Sequence, residues 1–304
     1  MRALFLVLVA CAGDPATLPV EPLLSDYVLS DAVDYPEGMA FRADERAFYV
    51  GSLGHGGITR VDADGTETLV FAPDEDGWAT LGLKIHPDTG DVLACAVRDP
   101  STPDAVSELW VLDPATAAVQ AFPLAGAPAN CNDVVAVGDQ VYLTDREAPR
   151  LHRVDLATGT ASVFLEHAEL TPQIIGNNGI VHADGALLVG QYAPARLLRV
   201  PLDAPETVEE VVLTGDSIGS LPNGADGITW QDDTLVIAAN RRLARLTSDD
   251  GWQTATVAAT DLDVGVAAVT VAEDRRYGLK GEVVAFVLGT PTDRPFRILE
   301  LPAP

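Results

Sequence analysis

The chain has 304 residues, of which 45 are acidic and 19 basic, so its formal net charge at pH 7 is −26. This charge argues against nucleic-acid binding and against docking on anionic lipid, since both need a surplus of lysine and arginine on at least one face. Hydrophobic residues make up 47% of the chain, which is enough for a packed core and excludes a disordered protein. The acidity is compatible with cation binding but does not locate a site.

The N-terminal residues 1–10 predict a signal peptide. Arg2 is followed by an apolar run that is too short to span a bilayer. The run ends in Leu8-Val9-Ala10-Cys11, which resembles the bacterial lipobox, where the cysteine becomes the lipidated first residue of the mature protein. The alternative is a plain secretory signal that is cut near Ala10 or Ala12. In both cases we expect an exported protein.

Residues 11–22 are rich in proline and polar side chains, and they predict an extended tether before a single folded domain, residues 23–304. Ala12 after the cysteine, in place of aspartate, is typical of a lipoprotein of the outer membrane, facing the periplasm or the cell surface. The lipid anchor is the only membrane contact that we expect. The remaining cysteines, Cys95 and Cys131, can pair in an oxidising compartment, but the sequence leaves their state open.

One pattern repeats six times beyond the tether, and the segment 36–71 is an example. It consists of a short apolar strand, a polar turn, a second strand, a loop, and then a third and a fourth strand. Across the six repeats, the turns contain the Asp-Gly, Thr-Gly and Gly-Asp pairs that hairpins favour. Four strands in each repeat of about 40 to 50 residues are typical of a β-propeller, so the sequence predicts an all-β, six-bladed propeller.

The sixth repeat stops after three strands, at Leu301. The apolar segment 23–30 (LLSDYVLS) is not used by any other repeat, and we expect it to supply the missing fourth strand. Closing the ring with an N-terminal strand would hide the open sheet edges.

Oxygen-bearing side chains precede the first strand in four of the six repeats. The aligned residues are Glu37, Leu81, Asn132, Asn178, Asp226 and about Val266. Equivalent positions of a propeller converge at one end of its central channel, and two carboxylates with two amides suit Ca²⁺, completed by water. The absence of histidine and cysteine from the set argues against zinc or copper.

Turn chemistry is the alternative interpretation of these positions, because Asn-Gly and Asp-Gly pairs open strands elsewhere for purely local reasons. Four residues in one register favour a shared site, and so does Glu37-Gly38, which is not a favoured turn pair.

The order Pro-Glu-Gly, Asn-Asp, Asn-Asn-Gly and Asp-Gly resembles the SMP-30/gluconolactonase/LRE family of six-bladed propellers, within the calcium-dependent phosphotriesterase superfamily. The resemblance covers about residues 24–302. It implies one Ca²⁺ at the channel mouth, held by Glu37, Asn132, Asn178 and Asp226. It also implies hydrolysis of a lactone or related ester, with Asp226 as general base or nucleophile. No histidine stands in the last blade to assist, as one does in some relatives.

Loops between second and third strands open on the same face as this set. The candidate substrate-binding residues there are His55, Asp145, Tyr192 and Asn240. The G-x-S-x-G sequence at 215–219 lacks a following helix and is interpreted as a connecting loop. We therefore expect a monomeric, calcium-dependent hydrolase of a small molecule, and the alternative is a non-catalytic propeller lipoprotein that binds a ligand or a protein.

Overall fold

The computed structural model describes residues 21–173, 175–219 and 224–302, so the predicted signal peptide, Cys11 and most of the tether lie outside the described residues. Within these ranges the chain is almost entirely β-structure. The strands are β1 (Asp26–Leu29), β2 (Pro36–Arg42), β3 (Ala47–Ser52), β4 (Ile58–Val61), β5 (Glu67–Phe71), β6 (Trp78–Ile85), β7 (Val92–Arg98), β8 (Val106–Asp113), β9 (Ala118–Pro123), β10 (Cys131–Val137), β11 (Gln140–Asp145), β12 (Arg150–Asp155), β13 (Thr160–Glu166), β14 (Ile175–Ala183), β15 (Ala186–Ala193), β16 (Arg196–Pro201), β17 (Glu209–Glu210), β18 (Val212–Gly215), β19 (Ile228–Gln231), β20 (Thr234–Ala238), β21 (Asn240–Thr247), β22 (Thr254–Val266), β23 (Ala268–Ala272), β24 (Arg275–Lys280) and β25 (Phe296–Glu300).

Two 3-10 turns and one short helix complete the secondary structure: Asp31–Val33, Ala168–Leu170 and α1 (Val283–Leu288). In the part of the chain that the structure describes, no helix has the length and apolar character needed to cross a membrane.

The described strands form six sheets, antiparallel except for one parallel pair in blade 5, that are arranged as the blades of a propeller, which confirms the predicted fold. Blades 1 to 4 have the strand orders β2-β3-β4-β5, β6-β7-β8-β9, β10-β11-β12-β13 and β14-β15-β16-β17. The first strand of each blade contacts the first strand of the next, and β23 of blade 6 contacts β2 of blade 1. The inner strands therefore surround a single channel.

The N-terminal strand completes blade 6, as the sequence predicts. This blade has the order β1-β25-β24-β23, and β1 pairs antiparallel with β25 from Asp26–Leu299 to Leu29–Phe296. Tyr27 and Leu29 are almost fully buried. The edge of the last C-terminal strand is thus covered by the start of the same chain, which removes an exposed edge.

Three details of the repeats differ from the sequence expectation. The aligned residues Glu37, Leu81, Asn132 and Asn178 do not precede the first strands of their blades but lie inside β2, β6, β10 and β14. The repeat from residue 178 offers the apolar stretch 209–213 as its fourth strand, but the structure divides it: β17 pairs with β16, whereas β18 crosses to blade 5 and pairs parallel with β22 as a fifth strand. The long strand β22 ends at Val266, so the position equivalent to Leu81 in blade 6 is Ala267.

Four inner strands carry a β-bulge at the same place. The pairing register shifts between Pro36 and Met39 in blade 1, and at the corresponding positions of blades 2, 3 and 4. The bulge re-aims the extra residues out of the ladder, and bulges commonly lie next to functional sites. The bulged pairs are Glu37-Gly38, Leu81-Gly82, Asn132-Asp133 and Asn178-Gly179.

Glycine at these bulges permits neighbouring blades to touch. A Cβ atom on Gly38 would lie 1.9 Å from the Leu81 carbonyl oxygen, and one on Gly179 would lie 2.4 Å from that of Asp226. Neither glycine adopts a positive φ. The Glu-Gly and Asn-Gly pairs therefore serve close backbone packing, and the ordinary-turn interpretation does not account for them.

A disulfide joins Cys95 in β7 of blade 2 to Cys131 in β10 of blade 3, with their Cα atoms 6.0 Å apart. Both cysteines are fully buried, and Cys131 directly precedes Asn132. The cross-link spans 36 residues of sequence, for which chain entropy alone predicts a stabilisation of roughly 4 kcal/mol.

Removal of residues 1–30 is expected to destabilise the ring, whereas removal of residues 1–22 leaves the melting temperature unchanged. The longer deletion strips β1 and loses the burial of Tyr27 and Leu29, each worth roughly 1.5–3 kcal/mol for a large apolar side chain. Thermal melts of both proteins check this. Tyr27→Ala in the full chain is the milder variant, and equal melting temperatures for all of these proteins would show that the closure is unimportant.

Candidate functional site

The channel mouth brings together the residues that the sequence aligned. Glu37, Asn132 and Asn178 line one cavity at the end of the channel where the inner strands begin, together with Asp133 and Lys84. All three predicted residues are buried, with exposed fractions between 5% and 8%. Their positions follow directly from the shared bulge, which turns one side chain of each inner strand towards the axis.

Asp226 joins this group from blade 5. It lies two residues before the start of β19, and its N–H donates to the Ala238 carbonyl oxygen at 2.9 Å. The side chain of Asn178 donates a hydrogen bond to the Asp226 carboxylate. The negative charge of that carboxylate repels the Glu37 carboxylate and raises its pKa. The two carboxylates therefore share one small region with the two amides.

Burial raises the pKa values of both carboxylates. Desolvation is the main cause for Asp226 and raises its pKa to about 8; the hydrogen bond from Asn178 opposes this shift, and the charge of Asp133 adds to it. Glu37 has a pKa well above its ordinary value, first because of desolvation and then because of repulsion from Asp226 and Asp133. Acidic groups that are buried and repel one another are stabilised by a bound proton or a bound cation.

Two charged residues at the mouth, Asp133 and Lys84, were not singled out as site residues by the sequence. Asp133 follows Asn132 on the bulge, and Lys84 follows the Leu81-Gly82 bulge of blade 2. Arg146, one of the loop residues after β11, also acts on the site: its Nη2 donates to the Pro100 carbonyl oxygen at 3.0 Å, and its positive charge lowers the pKa of Glu37. Their only sequence clue is proximity to a bulge or a strand end.

The donor set fits a hard cation such as Ca²⁺. Among the described residues no three histidine, cysteine, aspartate or glutamate side chains are grouped to hold a metal, so the amide oxygens of Asn132 and Asn178 are needed. Calcium accepts such oxygens together with carboxylates. Asp133 Oδ1 is buried at the same cavity and has no hydrogen-bond partner, which leaves oxygen capacity unused there.

Asp145, a candidate for substrate binding, is fully buried and engaged within its own blade. Its oxygens accept from Arg150 Nε at 2.9 Å and from the N–H groups of Glu147 and Ala148, and the ring of His152 lies 3.1 Å from Oδ2. These bonds tie the β11–β12 loop to the strand and keep the pKa of Asp145 below its ordinary value despite burial. Its carboxylate is therefore occupied by internal partners.

The same tie recurs in blade 4, where Arg196 Nε and Nη2 donate to Gln191 Oε1 at 2.9 and 2.7 Å. The five-residue spacing between acceptor and arginine is identical in the two blades. The side chains near the ends of these second strands thus fix the conformation of the loops that follow them.

His55 and Asn240 also make contacts within the protein. His55 Nδ1 accepts from the Gly57 N–H at 3.0 Å, so its Nε2 carries the proton and donates to the Ala32 carbonyl oxygen at 2.9 Å. Asn240 begins β21 with a φ of 55°, and its Oδ1 packs against Gly265. Neither contact brings the side chain to the carboxylates.

Tyr192 is the one candidate substrate residue that the structure brings to the Asp226 carboxylate. It is half-buried near the end of β15, and burial and the charge of Asp226 raise its pKa well above the ordinary value. A phenol that keeps its proton therefore lies within electrostatic range of Asp226.

No protein-family model and no curated protein matches the chain significantly. Solved structures match it over most of its length. The allergen Mala s 1 of Malassezia sympodialis is similar with a TM-score of 0.70 and 16% identity, covering 92% of this chain and 96% of its own. A gluconolactonase from Xanthomonas campestris is similar with a TM-score of 0.62 and 14% identity, covering 91% and 89%. Virginiamycin B lyase from Staphylococcus aureus has a TM-score of 0.59 and 15% identity, covering 84% and 82%. At these identities the likeness extends to the fold alone.

The metal-free protein is expected to lose stability as the pH rises from about 4 to 8. In this window the unfolded chain has released the proton of Asp226, whose ordinary pKa is about 4, while the folded protein still holds it. The free energy of unfolding therefore falls with pH. Thermal melts of protein treated with a metal chelator, recorded at several pH values, check this.

Asp226→Asn should flatten part of that decline, whereas Asp233→Asn, in the exposed turn before β20 of the same blade, should leave it unchanged. Calcium should raise the free energy of unfolding more at pH 8 than at pH 5. At pH 5 it must displace the proton that Asp226 still holds, whereas at pH 8 much of that proton has already been released. An equal slope in wild type and Asp226→Asn would contradict the raised pKa.

Proposed function

We propose that the protein is a calcium-dependent hydrolase that acts on a lactone or related ester at the channel mouth. The observation that carries this proposal is the convergence of Glu37, Asn132, Asn178 and Asp226 at one end of the channel, with both carboxylates sharing a buried region. A purely structural ring gains nothing from buried carboxylates that repel one another, because their desolvation costs stability.

The residues present suit ester hydrolysis. Glu37, Asn132, Asn178 and Asp226 would hold a calcium ion, which when bound polarises an ester carbonyl and stabilises the developing oxyanion. Asp226 takes the proton of the attacking water as general base, or attacks the carbonyl carbon itself. In the first case the water oxygen bonds to that carbon, the C–O bond to the alcohol breaks, and the proton passes to the departing alkoxide.

Neighbouring groups support a polar substrate at this place. Tyr192 keeps its proton within electrostatic range of Asp226, and the positive charge of Arg146 acts on Glu37. A phenol and a guanidinium can donate hydrogen bonds to the carbonyl or carboxyl oxygens of an ester and its product. The similarity in fold to a gluconolactonase favours the same class of substrate.

Export is part of the proposal. The buried Cys95–Cys131 disulfide suits an oxidising compartment. With the lipobox at Cys11, this supports export, and we propose a monomeric lipoprotein of the outer membrane, anchored by its lipid and facing the periplasm or the cell surface.

Binding without catalysis is the second candidate function, and α1 is the observation that favours it. Val284, Val287 and Leu288 on this helix are more than half exposed, although they are large and apolar. The ring centroids of Phe286 and Tyr35 are 4.8 Å apart, so the helix packs against the residue two positions before Glu37. A ligand or protein that covers this apolar surface would need no calcium.

Asp226→Asn is expected to abolish hydrolysis while it retains most of the calcium affinity, because an amide oxygen can ligate but cannot accept a proton. Glu37→Gln should weaken calcium binding more, since it removes a carboxylate that can bind in a bidentate manner. A panel of lactones and aryl esters, assayed with calcium and with chelator alongside calorimetric titration of the metal, checks both statements.

Asp233→Asn serves as the matched control on the same blade and should behave as wild type. Calcium at 100-fold excess over its Kd should also stabilise wild type by about 2.7 kcal/mol. If calcium produces no thermal shift and all panel rates are insensitive to chelator and to both variants, the hydrolase proposal fails and the binding function takes its place.

A further inference from the structure

Lys84 reaches across the channel below the predicted ligands. It lies in β6 of blade 2, and its ammonium nitrogen is 3.0 Å from the Ile228 carbonyl oxygen in β19 of blade 5. The same nitrogen lies 3.3 Å from Asp133 Oδ2 in blade 3. Among the described residues that line the mouth cavity, Lys84 carries the only positive charge.

Asp133 extends this contact to blade 4. Its Oδ2 also accepts the Ile180 N–H at 3.0 Å, and its own N–H donates to Thr144 Oγ1 at 3.0 Å. The Thr144 hydroxyl in turn donates to the Asn178 carbonyl oxygen at 2.7 Å. One lysine and one aspartate therefore connect the inner strands of four blades.

The contacted residues stand in a fixed relation to the predicted ligands. Asp133 is one position after Asn132, and Ile180 and Ile228 are each two positions after a ligand of their own blades. A displacement of the Lys84 ammonium would consequently be transmitted to the strands that present three of the four ligands.

We propose that Lys84 is a built-in counter-ion that holds the carboxylates and the ligand-bearing strands together when no divalent cation is bound. A second consequence, which rests on the proposed calcium site, is that its positive charge opposes a cation entering the mouth and so lowers the calcium affinity. Lys84 is thus a positioning residue, which acts on the ligands through Asp133 and the inner strands.

The first test needs no metal. In chelated protein, Lys84→Met should lower the melting temperature, and Lys84→Arg, which keeps the charge, should recover part of the loss. In an Asp133→Asn background the same Lys84→Met change should cost less, because the counter-charge is already absent. Equal losses in both backgrounds would overturn the counter-ion role, whether or not the protein binds calcium.

The second test measures calcium binding by calorimetry. Lys84→Met should bind calcium about 3- to 10-fold more tightly than wild type, and calcium should narrow the difference in melting temperature between them. The control is Lys280→Met: Lys280 is likewise bonded to an aspartate, Asp293, but it is more deeply buried than Lys84 and lies outside the cavity lining.

Lys280→Met should lose the same stability with and without calcium and keep the wild-type calcium affinity. If Lys84→Met instead binds calcium as wild type does or more weakly, the electrostatic opposition is wrong. If wild type itself binds no calcium, the proposed function fails, and the double-variant comparison in chelated protein decides the counter-ion role alone.

Discussion

The close packing of six inner strands around one axis is the constraint on which the fold and the candidate site both depend. Each strand must pass its neighbour at backbone distance, so at Gly38 and Gly179 no Cβ atom fits. The β-bulge that accompanies these glycines adds one residue to the strand, and that residue is turned out of the ladder towards the channel. The packing solution therefore produces, as a by-product, a ring of side chains at one end of the channel.

The chemistry of this ring is set by what the chain places on it. Leu81 and Ala267 leave two positions without side-chain oxygens, while two amides and two carboxylates occupy the others. The carboxylates are removed from water by the same packing, which raises their pKa values and leaves them in need of a proton or a cation. The disulfide at Cys131 and the bonds of Asp133 to blades 2 and 4 restrain the strand that carries Asn132.

The blade repeats, their number and the closure by the N-terminal strand were predictable, because strand alternation and turn pairs are local features of a sequence. The four aligned residues were predictable for the same reason, since they share one register. The parallel pairing of β18 with β22 was not predictable. The side-chain pattern of residues 209–213 is the same whether the segment pairs within blade 4 or crosses to blade 5.

The remaining site residues depend on contacts between blades, which no local pattern records. Lys84 is the one charged residue in a mostly apolar strand, and only the bulge before it and the carbonyl of Ile228 across the channel define its place. Asp145 looked accessible at a strand end, yet Arg150, five residues later, folds back onto it. Whether a side chain at a strand end binds substrate or stabilises its own loop can be decided only when its hydrogen-bond partners are known.

A crystal structure of the protein grown with Ca²⁺ tests the central claim most directly. The account predicts one ion at the channel mouth, about 2.3–2.6 Å from side-chain oxygens of Glu37, Asn132, Asn178 and Asp226, with water completing its shell. A mouth without an ion at saturating calcium, or an ion held by other residues, would contradict it.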